Sequence, residues 1–197
     1  MIQTKISLWK NSFVSPEKAV SISSDEADLV HAKIYQQYQD TLTAYQALDF
    51  DDLIRLPVEL FENNLAILHK WQLKIRYLLV DEYQDTNNCQ YRLIKLLAGT
   101  NGLFTAVGDD DQSIYAWRGA NSENLNILAT DYKLLKIIKL EQNYRSTSTI
   151  LNAANQVIKN NPKLFDKKLW SEFGAGSPIK IYSYANDEAE ADSIARK

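Results

Sequence analysis

Apolar residues recur every three or four positions between residues 23 and 48, at Ala27, Val30, Ile34, Tyr38, Leu42 and Tyr45, the spacing that lines one face of a long helix. Ser23 followed by Glu26 has the form of a capping box at its start. A second helical pattern runs from Phe50 to about Trp71 and contains Pro57; proline disfavours helical geometry in the residue before it, so two shorter helices are expected. The rhythm then changes to short apolar runs, Tyr77–Val80, Leu103–Val107, Leu134–Leu140 and Ile179–Tyr184, which are too short for buried helices and read as strands. Helical patterns lie between them. Gln90–Ala98 places Leu93, Ile94 and Leu97 inward, and Ser148–Asn160 places Ile150, Leu151, Ala154, Val157 and Ile158 inward. Strands alternating with helices predict an α/β fold with a parallel sheet, and the near-continuous hydrophobicity of the first two runs predicts strands covered on both faces. Residues 160–178, with Asn160-Asn161-Pro162 and then Gly174, Gly176 and Pro178, read as a surface loop. Glu188–Lys197 reads as a helix cut off mid-turn, as if the chain stopped inside a domain. No internal repeat is visible.

Composition narrows the class without choosing a function. The 197 residues are 45% hydrophobic and 24% charged, as in an ordinary soluble globular protein. The single cysteine, Cys89, cannot form an internal disulfide, and with only His31 and His69 beside it an ordinary zinc site is not expected. A reducing, cytoplasmic setting follows as the expectation. No apolar run approaches the roughly 20 residues of a membrane span, and Met1-Ile2-Gln3-Thr4-Lys5 lacks a signal-peptide core. The net charge of −3 argues against gripping nucleic acid by bulk charge, while leaving local patches open.

In open parallel sheets ligands gather at the carboxyl ends of strands, and the acidic residues of this chain fall there. Tyr77-Leu78-Leu79-Val80-Asp81-Glu82 puts adjacent carboxylates directly after a strand. Magnesium prefers oxygen ligands shared with substrate phosphates, and a second carboxylate can orient or deprotonate water. Taken alone, the string reads more readily as a solvated strand end with a helix-capping acid. Tyr115 and Trp117, one residue apart, fall on the same side of an extended segment, roughly 6.6 Å apart. Such a pair can sandwich a base or pack in a core; Arg118 beside it can hold a backbone phosphate.

Asp81-Glu82-Tyr83-Gln84-Asp85-Thr86, then Gly108-Asp109-Asp110-Asp111-Gln112-Ser113-Ile114-Tyr115-Ala116-Trp117-Arg118-Gly119-Ala120, then Leu140-Glu141-Gln142-Asn143-Tyr144-Arg145-Ser146-Thr147 resemble motifs II, III and IV of the superfamily 1 DNA helicases of the UvrD/PcrA/Rep group. Asp49-Phe50-Asp51-Asp52-Leu53-Ile54, Trp71 through Tyr77, and Asn161-Pro162 with Phe165 resemble the Rep branch in particular. The likeness runs from about Trp9 to near the end of the chain.

The resemblance implies RecA-like (P-loop NTPase) parallel-sheet elements behind a helical accessory segment. Residues 1–48 would end the accessory subdomain, 49–140 would form the second half of a first motor domain, and 141–197 would begin a second. It further implies ATP with Mg2+, single-stranded DNA and 3′-tailed or forked duplex DNA as partners, and 3′ to 5′ movement. Asp81, with Glu82, would hold magnesium, and Glu82 would activate the attacking water. Gln112 would sense the γ-phosphate, Tyr144 would stack on adenine, and Arg145 would reach the γ-phosphate as an arginine finger, a role suited to a permanently charged fork. Tyr115, Trp117 and Arg118 would contact DNA. Asp109, Asp110 and Asp111 stay open between supporting the site, capping a turn and facing solvent.

The chain has no Gly-Lys pair, and its six glycines nowhere form the phosphate-cradling loop of an ATP-driven motor. Motifs V and VI are also missing. The expectation is a middle piece of a helicase whose isolated chain does not hydrolyse ATP. The alternatives are the helicase part of a nuclease-helicase subunit, or a DNA- or protein-binding module without a motor.

Overall fold

Short polar side chains cap several of the helices in the first 75 residues. The chain is described by a computed structural model covering residues 2–100, 102–121 and 123–196. Helix α1 spans Ile2–Asn11 and α2 spans Pro16–Ile22. The Ser15 hydroxyl accepts the Lys18 N–H, and Pro16 follows at the first helical position, where its missing N–H costs nothing. Helix α3, Glu26–Ala44, starts at Asp25, whose carboxylate accepts the Asp28 N–H. The expected Ser23–Glu26 box therefore does not cap it. Ser23 is already engaged in closing α2, its hydroxyl donating to the Ala19 carbonyl at 2.8 Å.

The buried side of α3 is also not the expected one. Ala32 and Tyr35 are buried, whereas Val30, Tyr38 and Tyr45 are exposed. The packing partner decides the face: α1 and α2 meet α3 through a small core of Ile6, Ala19, Ala32 and Tyr35, with Trp9 stacked on Tyr35 at 5.8 Å between ring centroids.

Helices α4 (Asp52–Asn63) and α5 (Leu65–Lys74) are two, as the pattern predicts, but the break falls at Asn64 and Pro57 lies inside α4. Asn64 caps α5 by accepting the Ile67 N–H. Pro57 removes one helical donor, which does not end α4. A buried charge cluster ties α1 to α4. Lys10 donates to Asp49 at 2.6 Å and to Asp52 Oδ2 at 2.9 Å, Arg55 donates from Nε and Nη2 to the other Asp52 oxygen, Oδ1, and Tyr38 donates to Asp49.

Strand β1 (Leu78–Val80), helix α6 (Asn88–Ala98) and parallel strand β2 (Phe104–Ala106) form a β-α-β unit, with Leu78, Leu79 and Val80 paired to Phe104, Thr105 and Ala106. Helix α6 opens with a full capping box between Asn87 and Gln90, and α7 covers Glu123–Asp131. The parallel sheet is as expected, but cover on both faces is not: Leu79 is 76% exposed. On α6, Leu93, Ile94 and Leu97 are half-buried.

The chain divides into two units, residues 1–135 and 136–197. In the second, α8 (Ser148–Ile158) and α9 (Asp187–Ala195) form where the pattern predicts helices. On α8 Leu151 is buried, but Ile150 and Val157 are exposed. The runs Leu134–Leu140 and Ile179–Tyr184 form no strands. A strand needs a neighbour to satisfy its ladder, and neither run has one among the described residues. The 160–178 loop instead folds back through Asn155, whose side chain exchanges two hydrogen bonds with the Leu169 backbone. No helix among the described residues is long and apolar enough to cross a membrane.

Candidate functional site

The carboxyl end of β1 is fastened to the end of β2 before the acidic pair begins. Val107 donates its N–H to the Val80 carbonyl at 2.8 Å, and Tyr83 donates to the Val107 carbonyl at 2.9 Å. Asp81 and Glu82 project from this junction and are exposed. Glu82 sits in the left-handed region, φ 50° and ψ 44°, which costs a residue with a Cβ about 1–2 kcal/mol. Its neighbours hold it there: Asp81 Oδ1 accepts the Glu82 N–H at 2.9 Å, and the Glu82 carbonyl accepts the Asp85 N–H at 2.9 Å. The chain then turns through a 3-10 turn at Tyr83–Asp85.

Gln84 lies in that turn, 1% exposed. Its Nε2 donates to Glu82 Oε2 at 2.8 Å, while its Oε1 accepts the Asp109 N–H at 3.0 Å. Asp109 in turn caps the 3-10 turn Asp110–Gln112 through the Asp111 N–H and accepts from Gln112 Nε2 at 2.6 Å. Asp109 is thus a turn cap, one of the options its sequence left open. Asp109, Asp110 and Asp111 bring one carboxylate oxygen each within 4.8 Å of one another.

Downstream, the expected extended Tyr115–Trp117 segment is instead a tight turn. Ala116–Arg118 is a 3-10 turn closed by Gly119 at φ 89°, and the Tyr115 carbonyl accepts both the Arg118 and Ala120 N–H groups. The curl places the two rings 6.5 Å apart and tilted by 47°, not parallel. The Arg118 guanidinium lies 5.3 Å from the Tyr115 ring and 4.6 Å from the Trp117 ring. Trp117 is 62% exposed and no part of a core. The far end of the loop is fastened to the same acidic turn: Asn121 donates to the Thr86 carbonyl, and Asn124 Nδ2 donates to both the carbonyl and the hydroxyl of Thr86.

In the second unit Asn143 organises the segment before α8, its Oδ1 accepting the N–H groups of Arg145 at 2.9 Å and Ser146 at 2.8 Å. Arg145 is exposed. Tyr144 is 74% exposed, and its hydroxyl donates to Gln142. Asp81, Glu82, Gln112, Tyr115, Trp117 and Arg118 are therefore carried by one continuous set of turns in the first unit, and Tyr144 and Arg145 by a turn in the second. Gln84, which joins the two acidic blocks, and Thr86, which holds the far end of the loop, are residues to which sequence reasoning gives no role. The available signal was an uncharged amide standing between the acids Glu82 and Asp85.

Residues 1–133 match the model of the UvrD/REP helicase N-terminal domain, and residues 138–197 that of the UvrD-like helicase C-terminal domain. The chain is 53% identical over 189 residues to the ATP-dependent DNA helicase Rep of Escherichia coli (strain K12), covering 96% of this chain and 28% of that protein. It is 51% identical to the protein of the same name in Buchnera aphidicola subsp. Acyrthosiphon pisum, over 98% of this chain and 30% of that one. It is 45% identical to the ATP-dependent DNA helicase PcrA of Staphylococcus epidermidis, over 98% of this chain and 26% of that one. The chain thus spans less than a third of the length of these relatives. With both domain models matched along nearly its whole length, the chain belongs to the UvrD/Rep family of helicases.

Proposed function

We propose that this chain is the middle segment of an ATP-dependent DNA helicase that moves 3′ to 5′ on single strands and separates 3′-tailed or forked duplexes. The observation that carries the reading is the pair of exposed carboxylates at the end of β1, Asp81 and Glu82, tied through Gln84 to the loop that bears Gln112, Tyr115, Trp117 and Arg118. The relatives' names, ATP-dependent DNA helicase Rep and PcrA, support it. In this reading residues 1–48 close an accessory subdomain, 49–140 complete a first RecA-like motor domain, and 141–197 begin a second.

The donor set fits a hard cation, since both exposed side chains at the strand end offer oxygen alone. Asp81 and Glu82 would hold the magnesium that accompanies ATP, whose contribution when bound is to neutralise charge on the phosphates. Glu82 takes the proton of the attacking water at its carboxylate. Gln112 responds to the γ-phosphate, and Arg145 stabilises its developing charge with a fixed cation. Tyr144 offers an exposed ring to adenine. Tyr115 and Trp117 give bases a stacking surface that reads no sequence. Because Gln112 and the aromatic pair share a loop, phosphate state and base grip are linked by a few residues.

The test is strand separation by the full-length protein that carries this segment, on duplexes with a 3′ or a 5′ single-stranded tail. ATP-dependent opening of the 3′-tailed duplex alone is expected. Opening of neither, with the protein folded and DNA-bound, would leave the binding-module reading; a nuclease domain in the same polypeptide would favour a nuclease-helicase subunit.

A further inference from the structure

We propose that Gln84 is the positioning residue that holds the Glu82 carboxylate and joins it to the DNA-contacting loop. The proposal rests on the reading of Glu82 as the group that activates water. The Gln84 carboxamide is almost wholly buried and spends both of its ends on the two acidic blocks: the donor on Glu82 Oε2, the acceptor on the Asp109 N–H. Glu82 needs such a holder. Its side chain is exposed on a left-handed residue, and an exposed carboxylate samples several rotamers unless something fixes it. The same amide marks the first step of a continuous path, Glu82 to Gln84 to Asp109 to Gln112, within the loop that continues to Tyr115, Trp117 and Arg118. A change in the loop on binding DNA therefore has a direct route to the carboxylate that takes the proton.

Gly108 supplies independent support. A Cβ there would stand 2.8 Å from Gln84 Oε1 and 3.3 Å from the Tyr83 nitrogen, so the backbone passes close enough to wedge the carboxamide in place. This gives a way to disturb Gln84 without changing it.

The experiment uses the full-length protein with four variants: Gln84→Met, which fills the space without hydrogen bonds; Gln84→Glu, which keeps the acceptor for Asp109 but loses the donor to Glu82; Gly108→Ala; and Glu82→Gln. ATP turnover with and without single-stranded DNA, ATP affinity and melting temperature are measured for each. The expectation for the first three is a fall in kcat of about 10- to 100-fold, the usual loss when a supporting hydrogen bond to a working group is removed, with ATP affinity within about twofold of the parent. Stimulation by DNA should fall in the same variants. A merely structural role would lower melting temperature and affect nucleotide affinity and kcat together. If Gln84→Met yields no folded protein, Gly108→Ala alone gives the reading. Normal kcat in Gly108→Ala, or full turnover in Gln84→Glu, overturns the proposal. An inactive Glu82→Gln beside fully active Gln84→Met removes Gln84 and leaves Glu82 standing, whereas an active Glu82→Gln removes both.

Discussion

Trp117 is 62% exposed and shares the Arg118 guanidinium with Tyr115, so its environment is that of a platform on a turn. Trp117→Ala in the full-length protein should weaken single-strand binding by about 1–3 kcal/mol and leave stability nearly unchanged; a buried tryptophan would instead cost roughly 3–5 kcal/mol of stability through its cavity. Denaturant unfolding and DNA titration on one sample, at a stated salt concentration, separate the two. Because the rings are tilted by 47°, stacking on both at once requires the turn to rearrange. Arg145→Ala is expected to lower hydrolysis by a factor on the order of 10³ or more, read as phosphate release at saturating DNA; near-normal turnover would leave Arg145 no part in hydrolysis. Arg145 was singled out only through the motif block that contains it, and Trp117 through that block together with its one-residue spacing from Tyr115. Gln84 was not, because its role depends on burial and on a partner 25 positions away, neither of which is written locally.

At the scale of elements, periodicity and short apolar runs located α6, α8, α9 and both observed strands, while the cap of α3, the choice of helix face and the strand partners escaped. Pairing is non-local, so the apolar run at 134–140 reads as a strand whether or not a neighbour exists; likewise the face of α3 was decided by where α1 and α2 dock, not by its own stripe. The Lys10 cluster was also invisible, since a lysine inside a helical pattern gives no sign of being fully buried between Asp49 and Asp52. Lys10→Ala should destabilise the first unit by about 3–5 kcal/mol, because it strands buried carboxylate charge, and urea unfolding measures this. Burial alone would raise the Asp49 carboxyl, but hydrogen bonds from Lys10, the Asp52 N–H and Tyr38 outweigh it and hold it below the ordinary value. A depressed carboxyl contributes stability above its unfolded value of about 3.9, and that contribution is lost as pH falls through the lower, folded value. Unfolding curves at pH 7 and pH 3 should therefore diverge more for the parent than for Lys10→Ala.

For the molecule as a whole, the three motif blocks carried the family from sequence alone, and composition carried almost none of it. These 197 residues contain no Gly-Lys pair, the signature of the usual phosphate-cradling loop. The isolated chain is accordingly expected to release no phosphate from ATP even with magnesium and single-stranded DNA present. In the full-length protein hydrolysis is expected to depend on one side chain at the end of β1. Glu82→Gln preserves shape and removes the proton acceptor, so the decisive measurement is DNA-stimulated phosphate release and ATP binding by that variant. ATP affinity is expected within about twofold of the parent, with hydrolysis reduced by a factor on the order of 10² or more; hydrolysis at the parent's rate would show that Glu82 is not the proton acceptor.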